Sequence, residues 1–215
     1  MRTLILTVVL LIMTAGCSTK RPDDAWRYNT ATAYKYAEQY FLEDKTALAK
    51  SEYNQAESYA KQSADLTPLT RLYLSKCALN RSVLLEDACD EYQSIAHHSD
   101  DPSLSSYFAL LNQNVRQEEI SALPSQYRSF AKAYLAKNRH AIQKSIADIE
   151  PLTSQMIAAS TARSYLDDMT IEMIIERASY FGYKRAVIAW MQQLIDTTDD
   201  DKKAALLKQK LSVLR

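Results

Sequence analysis

Apolar side chains recur along most of this chain at the spacing of one helix face. Tyr127, Phe130, Ala131, Tyr134 and Leu135 fall at i, i+3, i+4, i+7 and i+8. Ile171, Ile174, Ile175 and Ala178 repeat the pattern, as do Val187, Met191, Leu194 and Ile195, and then Ala204, Leu207, Leu211 and Leu214. Each stripe covers a single face, so each helix must pack on neighbours to bury it. Thr67-Pro68 and Asp101-Pro102 place a capping side chain before a proline, the arrangement of a helix start. Leu123-Pro124 and Glu150-Pro151 mark two more starts. Asp167-Asp168 and Asp199-Asp200-Asp201 supply acidic caps for the last helices, and Gly182 ends the helix that begins near Asp168. The pattern predicts roughly nine to eleven helices joined by short loops, hence antiparallel hairpins.

Composition removes the alternatives. The chain has 2 glycines, Gly16 and Gly182. Hairpin turns and phosphate loops need more, which excludes a β-barrel or an α/β nucleotide fold and leaves an all-α protein. The 26 basic and 26 acidic residues balance. With no basic excess to neutralise phosphates, nucleic-acid binding is not expected.

The N-terminus is different in kind. Arg2 precedes the apolar run from Leu4 to Met13, which is shorter than the ~20 residues needed to cross a bilayer and suits a secretory signal. Ala15-Gly16-Cys17 follows and resembles the bacterial lipobox, with Thr14 where that motif usually carries an aliphatic residue. The resemblance implies a signal peptide over residues 1–16 and a mature chain beginning at lipidated Cys17. Lipid attachment would anchor it to a membrane, since two or more acyl chains hold stably where one does not. Ser18 after the cysteine, by resemblance to enterobacterial sorting, implies the outer membrane, the inner membrane being the alternative. Residues 17–24 then form the anchor and a short polar tether, and residues 25–215 a single helical domain.

Within that domain, residues 53–68 resemble the second helix of a tetratricopeptide repeat, with Ala56 as the small packing residue, Tyr59 as the aromatic and Pro68 as the closing proline. A second unit runs from Leu69 to Pro102, with Ala88 and Tyr92 as its small and aromatic pair, at close to the ~34-residue period of that family. Residues 131–136, and Ala186 with Trp190, echo the pattern less closely. The resemblance implies antiparallel helical hairpins stacked as a short tetratricopeptide-like solenoid. In that arrangement Cys77 and Cys89 sit on opposite sides of a turn. They either bridge, as an exported chain permits, or remain two buried thiols.

No catalytic constellation stands out. His97-His98 with Asp100-Asp101 lacks converging spacing and reads as a helix end followed by a cap, so no metal is expected. Glu57-Ser58 matches the dipeptide of all-α lytic transglycosylases but lacks the glycine-containing stretch, so Glu57 reads as a solvated surface carboxylate. Trp26, Tyr28, Tyr34, Tyr36, Tyr40 and Phe41 crowd one short segment and cover more than one helix face; exposed members among Trp26, Tyr28, Tyr34, Tyr36 and Tyr40 are the candidate partner contact. The expectation is a non-catalytic envelope lipoprotein that scaffolds another envelope protein or peptide of an outer-membrane, pilus or secretion assembly. It would need no cofactor and no small-molecule substrate. The alternative is an accessory factor or enzyme of peptidoglycan metabolism.

Overall fold

The computed structural model describes residues 24–215. The signal segment, Cys17 and the tether up to residue 23 lie outside the described residues. Among those described there are eleven α-helices, four short 3-10 turns and no strand, and no helix is long and apolar enough to cross a membrane. The protein is all-α.

Helices α1 (Ala25–Leu42) and α2 (Thr46–Ala60) form an antiparallel hairpin. Its seam is built from alanines, Ala33 and Ala37 on one side and Ala49, Ala56 and Ala60 on the other, all buried. Small side chains let the backbones approach closely, and Ala56 holds the packing position that its place in the sequence implied. Helix α3 (Thr67–Ser82) follows with Pro68 in its first turn, capped from outside by Asp65, whose Oδ1 accepts from the Thr67 amide at 2.9 Å.

The return element after α3 is short. Helix α4 (Asp90–Ile95) has six residues and is followed by a 3-10 turn over Ala96–His98. Ala88 does not pack as the small residue of a second repeat helix: it is exposed in the loop, and Cys89 takes the buried place beside it. Cys89 has a left-handed backbone, φ 60°, at the start of α4. The loop is pinned by Asp87, which accepts from the Cys89 amide and from Asn80, while its carbonyl accepts from Arg81. Cys77 and Cys89 form a disulfide, with Cα atoms 5.2 Å apart. Asp87 lies against it, but both sulfurs are committed to the bridge and offer no thiolate to a metal.

Helix α5 (Pro102–Leu111) is capped by Asp101, which accepts from the Ser103 amide. Two 3-10 turns then lead into the hairpin of α6 (Arg128–Leu135) and α7 (Arg139–Ala147). Pro124 thus opens a 3-10 turn rather than the helix itself. Helix α8 (Leu152–Thr161) begins after Pro151, α9 (Asp168–Tyr180) is capped by Asp167, and α10 (Lys184–Thr197) and α11 (Asp201–Leu214, capped by Asp200) complete the chain. Gly182 turns the chain between α9 and α10 at φ +70°, where a side chain would be strained.

Packing is not confined to neighbours in sequence. Helix α3 packs on α8, and α10 returns to α1. Trp190, fully buried on α10, donates its indole N–H to the Ser82 carbonyl at the end of α3, 3.0 Å away. Arg185 at the start of α10 binds Asp44 and Thr46 in the α1–α2 turn at 2.7 Å each. The last hairpin is thereby tied back to the first, and the inner faces of α1, α3, α5 and α8 surround a concave cleft.

Candidate functional site

Four positions on α1, Trp26, Thr30, Tyr34 and Glu38, four residues apart along one slowly turning stripe, line this cleft (Tyr34 and Glu38) and a groove adjoining it (Trp26, Thr30 and Tyr34). Against them α3 presents Pro68, Arg71, Leu72 and Ser75. Tyr34 donates its hydroxyl to the Ser75 carbonyl at 2.9 Å and joins α1 to α3. Above that bond lies a groove of about 570 Å³ walled by Trp26, Ala31, Pro68 and Leu72. Below it, sharing Tyr34 and Ser75, a cleft of about 530 Å³ runs between α1, α5, α8 and the turn after α9.

Aromatic rings dominate the cleft. Tyr107 and Tyr127 stack with centroids 5.2 Å apart and their hydroxyls 3.3 Å apart. At the rim, Phe181 stacks on Tyr183 at 5.6 Å, just where Gly182 turns the chain. Among these rings sits one carboxylate, Glu38, whose Oε1 accepts from the Thr153 hydroxyl at 2.6 Å. Burial pushes the Glu38 carboxyl above its ordinary range, and the Thr153 hydrogen bond opposes the shift. Burial likewise raises Tyr34, Tyr107 and Tyr127, and the negative charge of Glu38 adds to each. Tyr183 is raised by its burial and then by Glu38. One carboxylate therefore acts electrically on four tyrosines.

A polar brace holds the floor in place. Gln155, fully buried on α8, donates to the Ile146 carbonyl at the end of α7 and accepts from Arg177 of α9 at 2.7 Å. Arg177 also donates to the carbonyls of Ile149 and Glu150. These bonds satisfy the backbone groups of the α7–α8 connection and fix Pro151 to Thr153 opposite Glu38.

The aromatic set of the first helix is divided by this geometry. Trp26 and Tyr34 line the concave side. Tyr28 and Tyr36 lie about 120° and 160° around the helix from Tyr34 and are 73% and 46% exposed. Tyr40 is half-buried, stacked on Tyr36 with Lys45 over its ring. His97 and His98 are both exposed, with rings 3.9 Å apart on the 3-10 turn. Glu57 is not the free surface carboxylate that its position suggested: it accepts from Lys61 at 2.7 Å and from the Tyr73 hydroxyl at 2.8 Å, which hold its pKa low, while burial first and then the bond to Glu57 push Tyr73 up to about 12.

Sequence reasoning missed Glu38, Tyr107, Tyr127, Thr153 and the rim pair Phe181 and Tyr183. A signal was present for Glu38, one turn beyond Tyr34 on the stripe that starts at Trp26. Compared with known proteins, the chain matches no family model, no curated protein and no solved structure.

Proposed function

We propose that this protein is an outer-membrane lipoprotein, anchored through Cys17, whose tetratricopeptide-like body serves as a non-catalytic docking scaffold for another envelope protein. The observation that carries the reading is the concave cleft between α1, α3, α5 and α8, lined by Tyr34, Tyr107 and Tyr127, with Trp26 in the adjoining groove. First helices line the binding surface in stacked hairpin architectures, and tyrosine and tryptophan are the residues most enriched at binding hot spots. The disulfide between Cys77 and Cys89 fits an oxidising compartment outside the cytoplasm. Two experiments test the reading. Metabolic labelling with a clickable palmitate should mark the wild-type chain and not Cys17→Ser; undiminished label in the variant rejects the anchor. A photo-crosslinking residue placed in living cells at Gln126, exposed on the cleft, should trap a discrete partner, while the same residue at exposed Asn54 on α2 should not. Equal crosslinking from both positions rejects the cleft as the docking surface.

One observation favours the second reading, an enzyme of peptidoglycan metabolism. A carboxyl raised by burial in an aromatic cleft suits proton donation to a glycosidic oxygen, and Glu38 has that setting. Glu150, the other carboxylate that lines the cleft, is exposed at its edge. Release of soluble fragments from purified peptidoglycan, abolished by Glu38→Gln, would establish that reading over the scaffold.

A further inference from the structure

The cleft carries charge of one sign. Among the described residues that line it, Glu38 and Glu150 are acidic and none is lysine, arginine or histidine. Glu38 is half-buried and reachable from the cleft, and the Thr153 hydroxyl is its hydrogen-bond donor. Several other partly buried carboxylates are neutralised, Glu57 by Lys61, Asp168 by Lys203 and Glu43 by Lys45, while Asp87, like Glu38, is held by hydrogen bonds alone. Among the described residues no cation pairs with Glu38. A carboxylate withdrawn from water without a counter-charge is a standing expense in stability, and a positive group brought to it recovers strong interaction in a medium of low dielectric.

The surroundings suit a cation as well. Tyr34, Tyr107, Tyr127 and Tyr183 all lie within the field of Glu38, and aromatic rings attract ammonium and guanidinium groups within about 6 Å of their centroids. An alkyl stem finds apolar walls on the way in. The adjoining groove, joined to the cleft at Tyr34 and Ser75, is lined by Trp26, Pro68 and Leu72 and has room for an apolar side chain a few residues along the same segment.

We propose that the cleft takes the basic side chain of an extended segment of a partner protein, its cationic head on the Glu38 carboxylate and its stem among the tyrosine rings, with an apolar residue of that segment in the Trp26 groove. This rests on reading the cleft as a docking surface and names the chemistry it recognises.

The test uses the full-length chain in detergent and three probes: the peptide acetyl-Ala-Ala-Lys-Ala-Leu-Ala-amide, the same peptide with norleucine for lysine, and butylammonium. Titration calorimetry or saturation-transfer NMR measures each. A charge-assisted hydrogen bond accounts for about tenfold in affinity, so the lysine peptide should bind at least about tenfold more tightly than its norleucine analogue. Glu38→Gln should erase that difference without lowering the melting temperature. Butylammonium should bind far more weakly than the peptide. The proposal is overturned if lysine and norleucine peptides bind alike, if none binds, or if Glu38→Gln keeps the preference. Butylammonium binding as tightly as the peptide would make this a small-cation site and overturn the segment. If the peptide preference fails while Gln126 still crosslinks a partner, the basic side chain is rejected and the docking reading stands. If the preference holds and Gln126 traps nothing in cells, the partner is rejected instead.

Discussion

Thr153 and Glu38, 115 residues apart in sequence, meet at 2.6 Å across the cleft. One belongs to the first turn of α8 and the other to the fourth turn of α1, so the bond joins two helices far apart in sequence across the cleft. The Glu38 carboxyl is raised by burial from an ordinary value near 4.5. Between that value and the raised one, the folded chain holds a proton that the unfolded chain has released. Stability therefore falls as pH climbs through this window and stays lower above it. The groups facing Glu38 are Tyr34, Tyr107, Tyr127 and Tyr183, which keep their protons throughout, and Glu150 at the edge. Glu38→Gln removes the titration and retains an acceptor for Thr153. Thermal melts should show the variant at least as stable as wild type near pH 8, with the advantage closing toward about pH 4. A variant clearly less stable near pH 8 would mean that the carboxylate is compensated after all.

The Gln155 brace should matter more than its single side chain suggests. Replacing it with leucine keeps the volume but strips the Ile146 carbonyl and the Arg177 guanidinium of a partner inside the protein. Loss of one neutral and one charge-assisted bond, with groups left unsatisfied, costs about 3 kcal/mol. Urea denaturation should show that loss as a lower midpoint with an unchanged slope. A change below about 1 kcal/mol would show that water replaces the glutamine freely.

Much of the architecture was legible because caps and stripes are local signals. Asp101, Asp167 and Asp200 each accept from amides of the helices they were expected to start, and Ile171, Ile174 and Ala178 are buried on the stripe that named them. Where the local signal was ambiguous, tertiary contacts decided. Ala88 has the composition of a repeat-helix seam, yet the disulfide and the Asp87 bonds hold that stretch as a loop and expose it. The cleft was legible only on its α1 side. Tyr34 stood out among the crowded aromatics, while Tyr107, Tyr127 and Thr153 reach the same space from other elements. Such long-range meetings leave no periodic trace in one sequence.

The disulfide should stabilise chiefly by shortening the unfolded chain's freedom. Cys77 and Cys89 are 12 residues apart, and closing a loop of that order contributes about 3 kcal/mol. It also holds Cys89 in its left-handed conformation at the start of α4, which a free residue would relax. Reduction, or the double change of both cysteines to alanine, should lower the midpoint of chemical denaturation by about that amount. Helix α4 and its following turn should lose amide protection before α3 does. Uniform loss of protection across the domain would show that this segment is not a separate unit of unfolding.

The aromatic set of α1 gives the sharpest separation between packing and binding. Tyr28→Ala and Tyr36→Ala remove exposed rings and should change stability by no more than about 0.5 kcal/mol. If the partner lies in the concave cleft, both should also leave partner capture intact. Tyr34 is different, because its hydroxyl ties α1 to the Ser75 carbonyl and its ring lies against the alanine seam. Tyr34→Phe should cost about 1 kcal/mol from the lost hydrogen bond, and Tyr34→Ala about 3 kcal/mol or more from the cavity. Tyr40 stacks on Tyr36, and Tyr40→Ala should fall between these extremes. Trp26 is the informative position: half-buried at the groove end, it adds binding surface while carrying little of the core. Trp26→Ala should lower the melting temperature only slightly and reduce crosslinking from Gln126 severalfold. Melting curves and in-cell crosslinking on the same variants provide the comparison. If Tyr28→Ala abolishes capture while Trp26→Ala leaves it whole, the partner binds the outer face of α1 and the cleft serves another purpose.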